Sequence, residues 1–201
     1  MTALTNGFYA VPRGKVATIV THMEMRAPFQ FKNASMPEGV MLRPLERDVD
    51  IYRALHRRIG EEWLWSDRLR MPHDRLAGIL TDPATELFAL HKNRQDEALL
   101  ELDFSQPDAC EIAYFGLTRT LIGTGAGKAL MREAIDRAWS RPIHRLWVHT
   151  CTLDSPQALG FYRSCGFMPF AQEVEIADDP RALGVHQPEH GPHIPYLPAD
   201  K

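Results

Sequence analysis

Residues Cys110–Met131, CEIAYFGLTRTLIGTGAGKALM, contain an apolar run, a glycine-rich turn and the start of an amphipathic helix. The apolar run from Glu111 to Leu117 predicts a strand, and the helix after it is predicted over Gly125–Ser140. A glycine-rich turn between a strand and a helix binds anions, because free backbone N–H groups and the positive end of the helix dipole face the turn. The stretch therefore predicts that a compound carrying phosphate binds at this turn.

Two common phosphate-binding motifs do not fit the turn. A P-loop needs GxxxxGK followed by Ser or Thr, whereas Gly127-Lys128 is followed by Ala129, and Ile122 stands where the first glycine should be. A dinucleotide fingerprint needs GxGxxG early in a series of βαβ units, but Lys128 replaces the last glycine and the turn lies past the middle of the chain. The glycines are therefore expected to serve another phosphate compound.

A second motif, SPQALGFYRSCGF, covers Ser155–Phe167. Ser155 is a suitable N-cap, and a helix is predicted to begin there. Ala158 and Tyr162 share one face of that helix, and Gly166 is placed to end it.

Together the two motifs resemble those of the GNAT superfamily of N-acetyltransferases. The first GNAT motif is a strand, Gln or Arg, two residues, Gly, any residue, and Gly or Ala before a helix. The glycines of Gly125–Gly127 match this motif, and Ile122 replaces the Gln or Arg. The second GNAT motif is Asn-x-x-Ala-x-x-x-Tyr followed by Gly-Phe. Ala158 and Tyr162 match it, and Ser155 replaces the Asn.

The resemblance implies an α/β fold of the α+β type, with a mixed, mostly antiparallel central sheet flanked by helices. Residues 1–39 form an N-terminal extension with an extra predicted strand at Lys15–Met25, residues 40–178 form the GNAT-like domain, and residues 179–201 form an irregular tail. Further strands are predicted at residues 40–45, 85–92, 98–104, 144–152 and 167–176, and further helices at residues 47–59, 61–70 and 72–80.

The resemblance also implies acetyl-CoA as the co-substrate and a primary amine as the acceptor, joined in a ternary complex. The backbone at residues 117–119 is expected to pair with the pantetheine arm, and the glycine-rich turn is expected to hold the pyrophosphate. The residues expected to bind acetyl-CoA are Leu117, Thr118, Arg119, Ile122, Gly123, Thr124, Gly125, Ala126, Gly127, Lys128, Ser155 and Ala158.

Acetyl transfer from a thioester to an amine needs a group that takes a proton from the amine and one that protonates the departing thiolate. Tyr162 is the candidate acid, with aromatic packing on the helix face as the alternative. Glu111 is the candidate base, directly or through water, because its strand should border the cleft and it aligns with the catalytic glutamate of the histone-acetyltransferase branch. Glu101 and Asp103, on one face of the neighbouring strand, are rival bases. Many enzymes of the family have no dedicated base.

Four residues are predicted to contact the acceptor: Trp63, Trp65, Glu101 and His149. Two tryptophans beside two glutamates suit a cationic amine, although a core aromatic beside a solvated charged face fits the same pattern. His149 lies near the end of the strand before the second motif, and a structural histidine is the alternative.

Composition restricts the function class. With 201 residues, 44% of them hydrophobic, the chain can bury the core of one domain. A net charge of −3 argues against a general nucleic-acid surface. Three cysteines without CxxC spacing, and the lack of a signal-peptide or membrane-spanning run, predict a cytoplasmic protein without a membrane partner. Prolines and a glycine interrupt the spacing of His186, His190 and His193, so no metal site is predicted.

Two alternatives and one further expectation remain from the sequence. The departures at Ile122 and Ser155 leave open a non-catalytic acyl-CoA-binding sensor or assembly module of the same fold as the alternative. An enzyme that uses a longer acyl-CoA, or that acetylates a peptide or protein N-terminus, would also fit. The strand at Lys15–Met25 either extends the sheet or pairs, as an exposed edge, with a second subunit, so a homodimer is expected as well.

Overall fold

Seven strands and five helices form the regular structure of the described residues, 4–200, in the computed structural model. The strands are β1 (Lys15–Met25), β2 (Met41–Pro44), β3 (Thr85–Lys92), β4 (Gln95–Asp103), β5 (Ala109–Leu117), β6 (Arg145–Cys151) and β7 (Met168–Asp178). The helices are α1 (Val49–Gly60), α2 (Asp67–Arg70), α3 (His73–Thr81), α4 (Ala126–Trp139) and α5 (Ala158–Ser164), with a 3₁₀ turn at Glu61–Trp63. No helix in this part of the chain is long and apolar enough to cross a membrane.

The strands form one sheet in the order β2-β3-β4-β5-β6-β1-β7. Every neighbouring pair is antiparallel except β5 and β6, which run parallel because α4 crosses between them over one face of the sheet. The predicted fold class, a mixed and mostly antiparallel sheet flanked by helices, is confirmed.

The extra N-terminal strand lies inside the sheet. β1 pairs with β6 along one edge and with β7 along the other, so it separates two strands that follow each other in the chain. Of the two expectations for Lys15–Met25, extension of the sheet is therefore correct and an exposed edge is wrong, because both edges of β1 already have partners. The free edges of the sheet belong to β2 and β7.

Each face of the sheet carries its own hydrophobic core. Neighbouring residues of a strand point to opposite faces, and Leu99 and Leu100 in β4 accordingly belong to different cores. Leu100 packs in the cluster that includes Leu130 of α4, whereas Leu99 packs in the cluster that includes Tyr52 of α1. The sheet is thus covered by α4 and α5 on one face and by α1 and α3 on the other.

The helix of the second motif begins later than predicted. Ser155 does not cap it: its hydroxyl accepts the N–H of Gln157 at 3.4 Å and its carbonyl accepts the N–H of Ala158 at 2.8 Å, so a tight turn precedes α5. The predicted end is correct, since α5 finishes at Ser164 and Gly166 takes the positive φ of 91° that suits a glycine after a helix.

Residues 179–200 contain no helix or strand but are held by a buried ion pair. Arg181 and Asp179 bury their side chains and meet at 2.8 Å between Nη2 and Oδ2. The same guanidinium donates to the carbonyls of His190 at 3.2 Å and Ile194 at 3.0 Å. Burial alone would raise the pKa of Asp179, but the hydrogen bonds from Arg181 hold this pKa below its usual range. One arginine therefore organises the turns that follow β7.

Replacing this arginine should destabilise the protein strongly. Arg181→Ala leaves the Asp179 charge buried without a partner and removes the donors to the tail carbonyls, so we expect a loss of about 3–5 kcal/mol in the free energy of unfolding. Urea denaturation of the native protein and the variant measures this loss in the free energy of unfolding. The control is Arg13→Ala, because Arg13 pairs with Asp200 at an exposed site and should change stability by less than about 1 kcal/mol. Equal losses in the two variants would contradict the structural role of Arg181.

Candidate functional site

A cleft opens in the sheet where β5 and β6 diverge. The two strands pair only over Ala109–Glu111 and Arg145–Trp147. Beyond these residues β5 continues to pair with β4 as far as Leu117, and β6 continues to pair with β1 as far as Cys151. Each strand keeps its other neighbour, so the sheet splits at this position while both halves stay ordered.

The wall of the cleft on the β5 side presents unpaired backbone groups. Thr118 donates its N–H to the carbonyl of Glu97 at 2.9 Å, toward β4. Since successive residues of a strand direct their N–H groups to opposite edges, Leu117 and Phe115 direct theirs into the cleft. An irregularity in the pairing of β4 and β5, where Glu101 faces Tyr114 and Leu102 faces Ile112, leaves Ala113 as an extra residue. Such bulges re-aim the backbone beside functional sites.

The glycine-rich turn lies at the end of β5. Gly123 and Gly125 have φ angles of 79° and 91°, which residues with side chains rarely adopt. The first hydrogen bond of α4 runs from Ala129 to the Gly125 carbonyl at 3.2 Å, so the N–H groups of Gly127 and Lys128 have no acceptor within the helix. The Lys128 side chain is exposed and forms no ion pair with any of residues 4–200. The turn thus offers N–H groups and a cation to an anionic ligand.

One face of the cleft carries Tyr162. The ring lies in an aromatic group with Phe115, Phe161 and Phe167, with centroids between 5.7 and 6.3 Å from that of Tyr162. Its hydroxyl makes no hydrogen bond within the described part of the chain. Burial, and next the charge of Asp154, raise the pKa of Tyr162, so the phenol keeps its proton over the whole physiological pH range.

The opposite face of the cleft carries a carboxylate and an imidazole in contact. Glu111 is the last residue of β5 that pairs with β6, and His149 is two residues beyond its partner Trp147. His149 Nδ1 donates to Glu111 Oε1 at 3.2 Å, across the gap between the strands. This hydrogen bond raises the pKa of His149 against the effect of burial. The pair lies where β5 and β6 begin to diverge, with its two groups close enough to exchange a proton.

Aromatic rings surround this pair. His22 of β1 lies 6.0 Å from His149 and 6.2 Å from Trp147 between ring centroids, and Phe170 of β7 lies 5.9 Å from His22. The inserted strand β1 therefore contributes a ring to the face that carries Glu111.

A hydrogen bond ties the two sides of the cleft together. Trp65 Nε1 donates to Asp154 Oδ1 at 2.9 Å, and the other carboxylate oxygen of Asp154 accepts from the Thr150 hydroxyl at 2.8 Å. The indole fits closely over two glycines, since a Cβ at Gly60 would lie 2.5 Å from Trp65 Cβ and a Cβ at Gly116 would lie 2.8 Å from its ring. This contact fixes the segment after α1 against the end of β6.

A cavity of about 570 Å³ lies beside this contact, between the segment after α1, the end of β5 and the C-terminal tail. Trp63 lines the cavity, and its ring lies 5.6 Å from that of His193 in the tail. His193 in turn contacts the Leu153 carbonyl at 2.8 Å, and His186 contacts the Trp65 carbonyl at 2.8 Å. The tail thus packs on both loops that border the cleft.

A family model described as the acetyltransferase (GNAT) family matches residues 54–167, more than half of the chain. The chain belongs to the GNAT family. The match runs from α1 to the end of the second motif, so the cleft, the glycine-rich turn and Tyr162 all lie within the GNAT region.

Solved structures agree with this fold. A functionally unknown conserved protein from Staphylococcus epidermidis has a TM-score of 0.61 at 12% identity, over 83% of this chain and 63% of its own. A GNAT-family protein from Novosphingobium aromaticivorans has a TM-score of 0.57 at 17% identity, over 83% of this chain and 67% of its own. A GCN5-related N-acetyltransferase from Sphaerobacter thermophilus has a TM-score of 0.60 at 17% identity, over 83% of this chain and 53% of its own. No match was found among curated proteins.

These similarities show only that the fold is shared, because the sequence identities are low. The chain spans less than two thirds of the length of the Staphylococcus and Sphaerobacter proteins, which extend beyond the region that they share with it. The activity and the acceptor of this GNAT protein must therefore be argued from its own residues.

The structure brings together several residues that the sequence singled out. Glu111 and His149 are in contact, and Tyr162 lies on the other face of the same cleft. Glu101 lies elsewhere, fully buried, and accepts hydrogen bonds from Tyr52 and Arg68, both at 2.5 Å. The rival Asp103 accepts the N–H of Ser105 at 2.7 Å, next to the turn after β4.

The residues that were expected to bind acetyl-CoA differ in where their side chains and N–H groups point. Gly123 and Gly125 face open space, whereas a Cβ at Gly127 would lie 3.6 Å from the Phe161 ring. Ile122 is 51% exposed beside them. Thr118 and Arg119 direct their side chains away, to the carboxylates of Glu97 and Glu62. Within residues 117–119, Leu117 directs its N–H into the cleft and Thr118 directs its N–H toward β4.

Sequence reasoning missed Asp154 and His22. Asp154 directly precedes the second motif, and an acidic residue at a strand end is a weak signal that could have drawn attention to it. His22 gave no usable signal, because its position beside His149 depends on where β1 enters the sheet. Among residues 4–200 no three His, Cys, Asp or Glu side chains are grouped closely enough to hold a metal ion.

Removing the carboxylate of the Glu111–His149 pair should lower the pKa of the histidine. In the native protein the hydrogen bond from Glu111 raises the pKa of His149 above its ordinary value of 6.5. A neutral amide in Glu111→Gln cannot stabilise the imidazolium charge in the same way, so the pKa should fall. NMR titration of the histidine ring protons measures both values. Glu173→Gln, next to His22 at 3.5 Å, is the control and should leave His149 unchanged. A His149 pKa that is the same with and without Glu111 would contradict the assignment.

Proposed function

We propose that the protein transfers an acetyl group from acetyl-CoA to a primary amine while both substrates are bound. One observation carries the proposal: a single cleft joins an anion-binding turn at its end, a protonated phenol on one face and a carboxylate–imidazole pair on the other. Membership of the GNAT family supports acyl transfer in general, and this arrangement supports the more specific reaction.

The chain has suitable groups for each part of acetyl-CoA. Free N–H groups at Gly127 and Lys128, with the Lys128 ammonium, suit the pyrophosphate. The unpaired backbone of Phe115 and Leu117 suits the amides of the pantetheine arm, which would pair with β5 as a strand would. Acetyl-CoA supplies an acetyl group activated as a thioester, whose thiolate is a good leaving group, so the protein needs no covalent intermediate.

The protein's own groups then have three tasks. The Glu111–His149 pair takes the proton that the acceptor ammonium must lose, directly or through water. A backbone N–H of β5 in the cleft polarises the thioester carbonyl. Tyr162 gives its proton to the thiolate. Most of the rate acceleration comes from holding the two substrates in position in the cleft.

The acceptor reaches the cleft from the face that carries Glu111. The ring of Trp147, with that of Trp63 at the neighbouring cavity, favours a cationic amine, because indole faces attract cations. A cytoplasmic location belongs to the same proposal, and the three free cysteines support it.

A second candidate is a non-catalytic acyl-CoA-binding module. Ile122 favours it, because an exposed apolar side chain stands where the family motif has Gln or Arg. In that case the glycine-rich turn would still bind the ligand, but the groups on the two faces of the cleft would have no proton to move.

Acetyl-CoA should raise the melting temperature of the protein. A ligand at about 100 times its dissociation constant adds about 2.7 kcal/mol, which corresponds to roughly 5–10 °C for a chain of this size. Thermal unfolding with and without acetyl-CoA measures the shift, and ATP and NAD serve as ligand controls. Lys128→Glu should weaken the shift because it reverses the charge at the turn, whereas Lys32→Glu, also exposed, should keep it. No shift in the native protein would contradict both candidate functions.

The substitution Tyr162→Phe distinguishes the acetyltransferase from the non-catalytic acyl-CoA-binding module. If Tyr162 protonates the thiolate, we expect kcat with an amine acceptor to fall by roughly 10²-fold, while the affinity for acetyl-CoA stays within a factor of about two. Because the hydroxyl has no hydrogen-bond partner in residues 4–200, the fold should not change. Tyr9→Phe, at an exposed site, is the control for turnover. Unchanged kcat in Tyr162→Phe would remove the proposed acid, and an absence of turnover with any amine despite tight acetyl-CoA binding would favour the binding module.

A further inference from the structure

The strand β7 is an unprotected sheet edge. It pairs with β1 on one side, and its other edge has no strand partner within residues 4–200. It is 11 residues long, and all residues from Met168 to Ile176 are exposed. Long exposed edges are rare in monomers, because their free N–H and C=O groups can pair with another chain.

The opposite edge of the sheet is protected by contrast. β2 has only four residues, ends in Pro44, and carries Arg43 in a two-point ion pair with Asp96 at 2.7 and 2.9 Å. Short length, proline and charge are the usual means by which edges avoid pairing. β7 has a proline only near its start and no basic residue, and its charged side chains are the acidic Glu173, Glu175 and Asp178.

One face of β7 is apolar and uncovered. Val174 lies opposite Ile19, and Ile176 lies opposite Ala17, so their side chains share a face. Ile19, Val174 and Ile176 are 41%, 48% and 49% exposed. The opposite face is covered, since Val16, Thr18 and Val20 of β1 are buried. The apolar face therefore lacks the layer that its side chains require.

A hollow lies at the other end of the same strand, on the same face. It has a volume of about 420 Å³, and its lining includes Leu159 and Arg163 of α5, with Pro169 and Phe170 at the start of β7. Exposed apolar residues at the end of β7 are thus complemented by a shallow, partly apolar hollow at its beginning, which Thr21 and Gln172 also line.

We propose that two copies of the chain pair through β7, antiparallel, about a two-fold axis near Gln172. An antiparallel pair brings the end of each strand beside the start of the other, so Val174 and Ile176 of each copy reach the hollow of its partner. A two-fold interface needs such self-complementarity, because the same surface serves both subunits. This inference does not rest on the proposed function.

The charges on the other face fit the same arrangement. An axis near Gln172 sets Glu173 and Glu175 opposite the small residues at the start of the partner strand and not opposite each other. It also brings Glu175 toward the region of Arg145, whose guanidinium lies 4.6 Å from the centre of the Phe170 ring. An axis near Val174 would instead set Glu173 against Glu175 of the partner, which is unfavourable.

The experiment measures the mass of the full-length protein by light scattering during size-exclusion chromatography. We expect twice the chain mass of 22.9 kDa for the native protein. The double variant Val174→Asp/Ile176→Asp should have the mass of one chain, because it places charges where the two copies meet. Met41→Asp, at an exposed position of the β2 edge, is the matched control and should stay dimeric.

A cross-linking variant tests the position of the axis and does not depend on the folding of the double variant. Gln172→Cys places two thiols near the two-fold axis, so a short bismaleimide should join the two chains, whereas the native protein, with Cys110 and Cys165 buried and Cys151 partly buried, should not be joined. A monomeric native protein overturns the proposal. So does a dimer that survives a folded double variant, or one that Gln172→Cys fails to cross-link.

Discussion

The divergence of β5 and β6 is the constraint on which the rest of the molecule depends. Two parallel strands that pair over three residues and then separate would normally expose unpaired backbone, which is costly when it is buried. Here each strand keeps a full antiparallel partner on its other side, β4 for β5 and β1 for β6. The cleft is therefore a gap between two fully paired sets of strands, β4 with β5 and β6 with β1. The free N–H and C=O groups along the gap are available to a ligand.

A buried polar network stiffens the side of the cleft that carries β5. Glu101 accepts hydrogen bonds from Tyr52 and Arg68, and Asp67 accepts one from Tyr114, so α1 and α2 are both tied to β4 and β5. Burial raises the pKa of Glu101, opposed by its two partners. Such a network contributes less to net stability than to a unique geometry, because its members lose hydration when they are buried.

His56 lies next to this network and is held neutral. It packs against Tyr52, Trp65 and Tyr114 with ring centroids between 4.8 and 5.8 Å apart. Burial lowers its pKa to about 4. An uncharged ring can stay among aromatic side chains, so the wall behind Trp65 keeps its packing over the physiological pH range.

Local structure could be predicted from the sequence where pattern and turn chemistry agree. The strand over Thr85–Lys92 and the strand over Lys15–Met25 were predicted with the bounds that the structure has. The next strand begins at Gln95 and not at residue 98, because Asn93 and Arg94 both take positive φ and make a two-residue hairpin turn. Arginine is an unusual residue in such a turn, so the polar residues after Lys92 predicted a longer turn between the two strands.

The site could be predicted only in part, for a reason of topology. The glycine-rich turn, Glu111 and Tyr162 are read from local motifs, and the structure places them around one cleft. Whether a strand carboxylate is free or bonded depends on what packs against it: Glu101 meets Arg68, which lies 33 residues away in the chain. Asp154 and Trp65 meet across 89 residues. No spacing in the sequence encodes these contacts.

The entry of β1 into the sheet links the cleft to the outer edge. Because β1 fills the position beside β6, it gives β6 a partner past the point of divergence and brings His22 beside His149. The same insertion places β7 at the outer edge of the sheet. A bulge in β7, between the residues that pair with His22 and Met23, turns Phe170 toward His22. The N-terminal extension thus shapes both the acceptor face and the edge. A change in the packing of β1 would reach Glu111 through one ring contact, His22 with His149, and one hydrogen bond, His149 with Glu111.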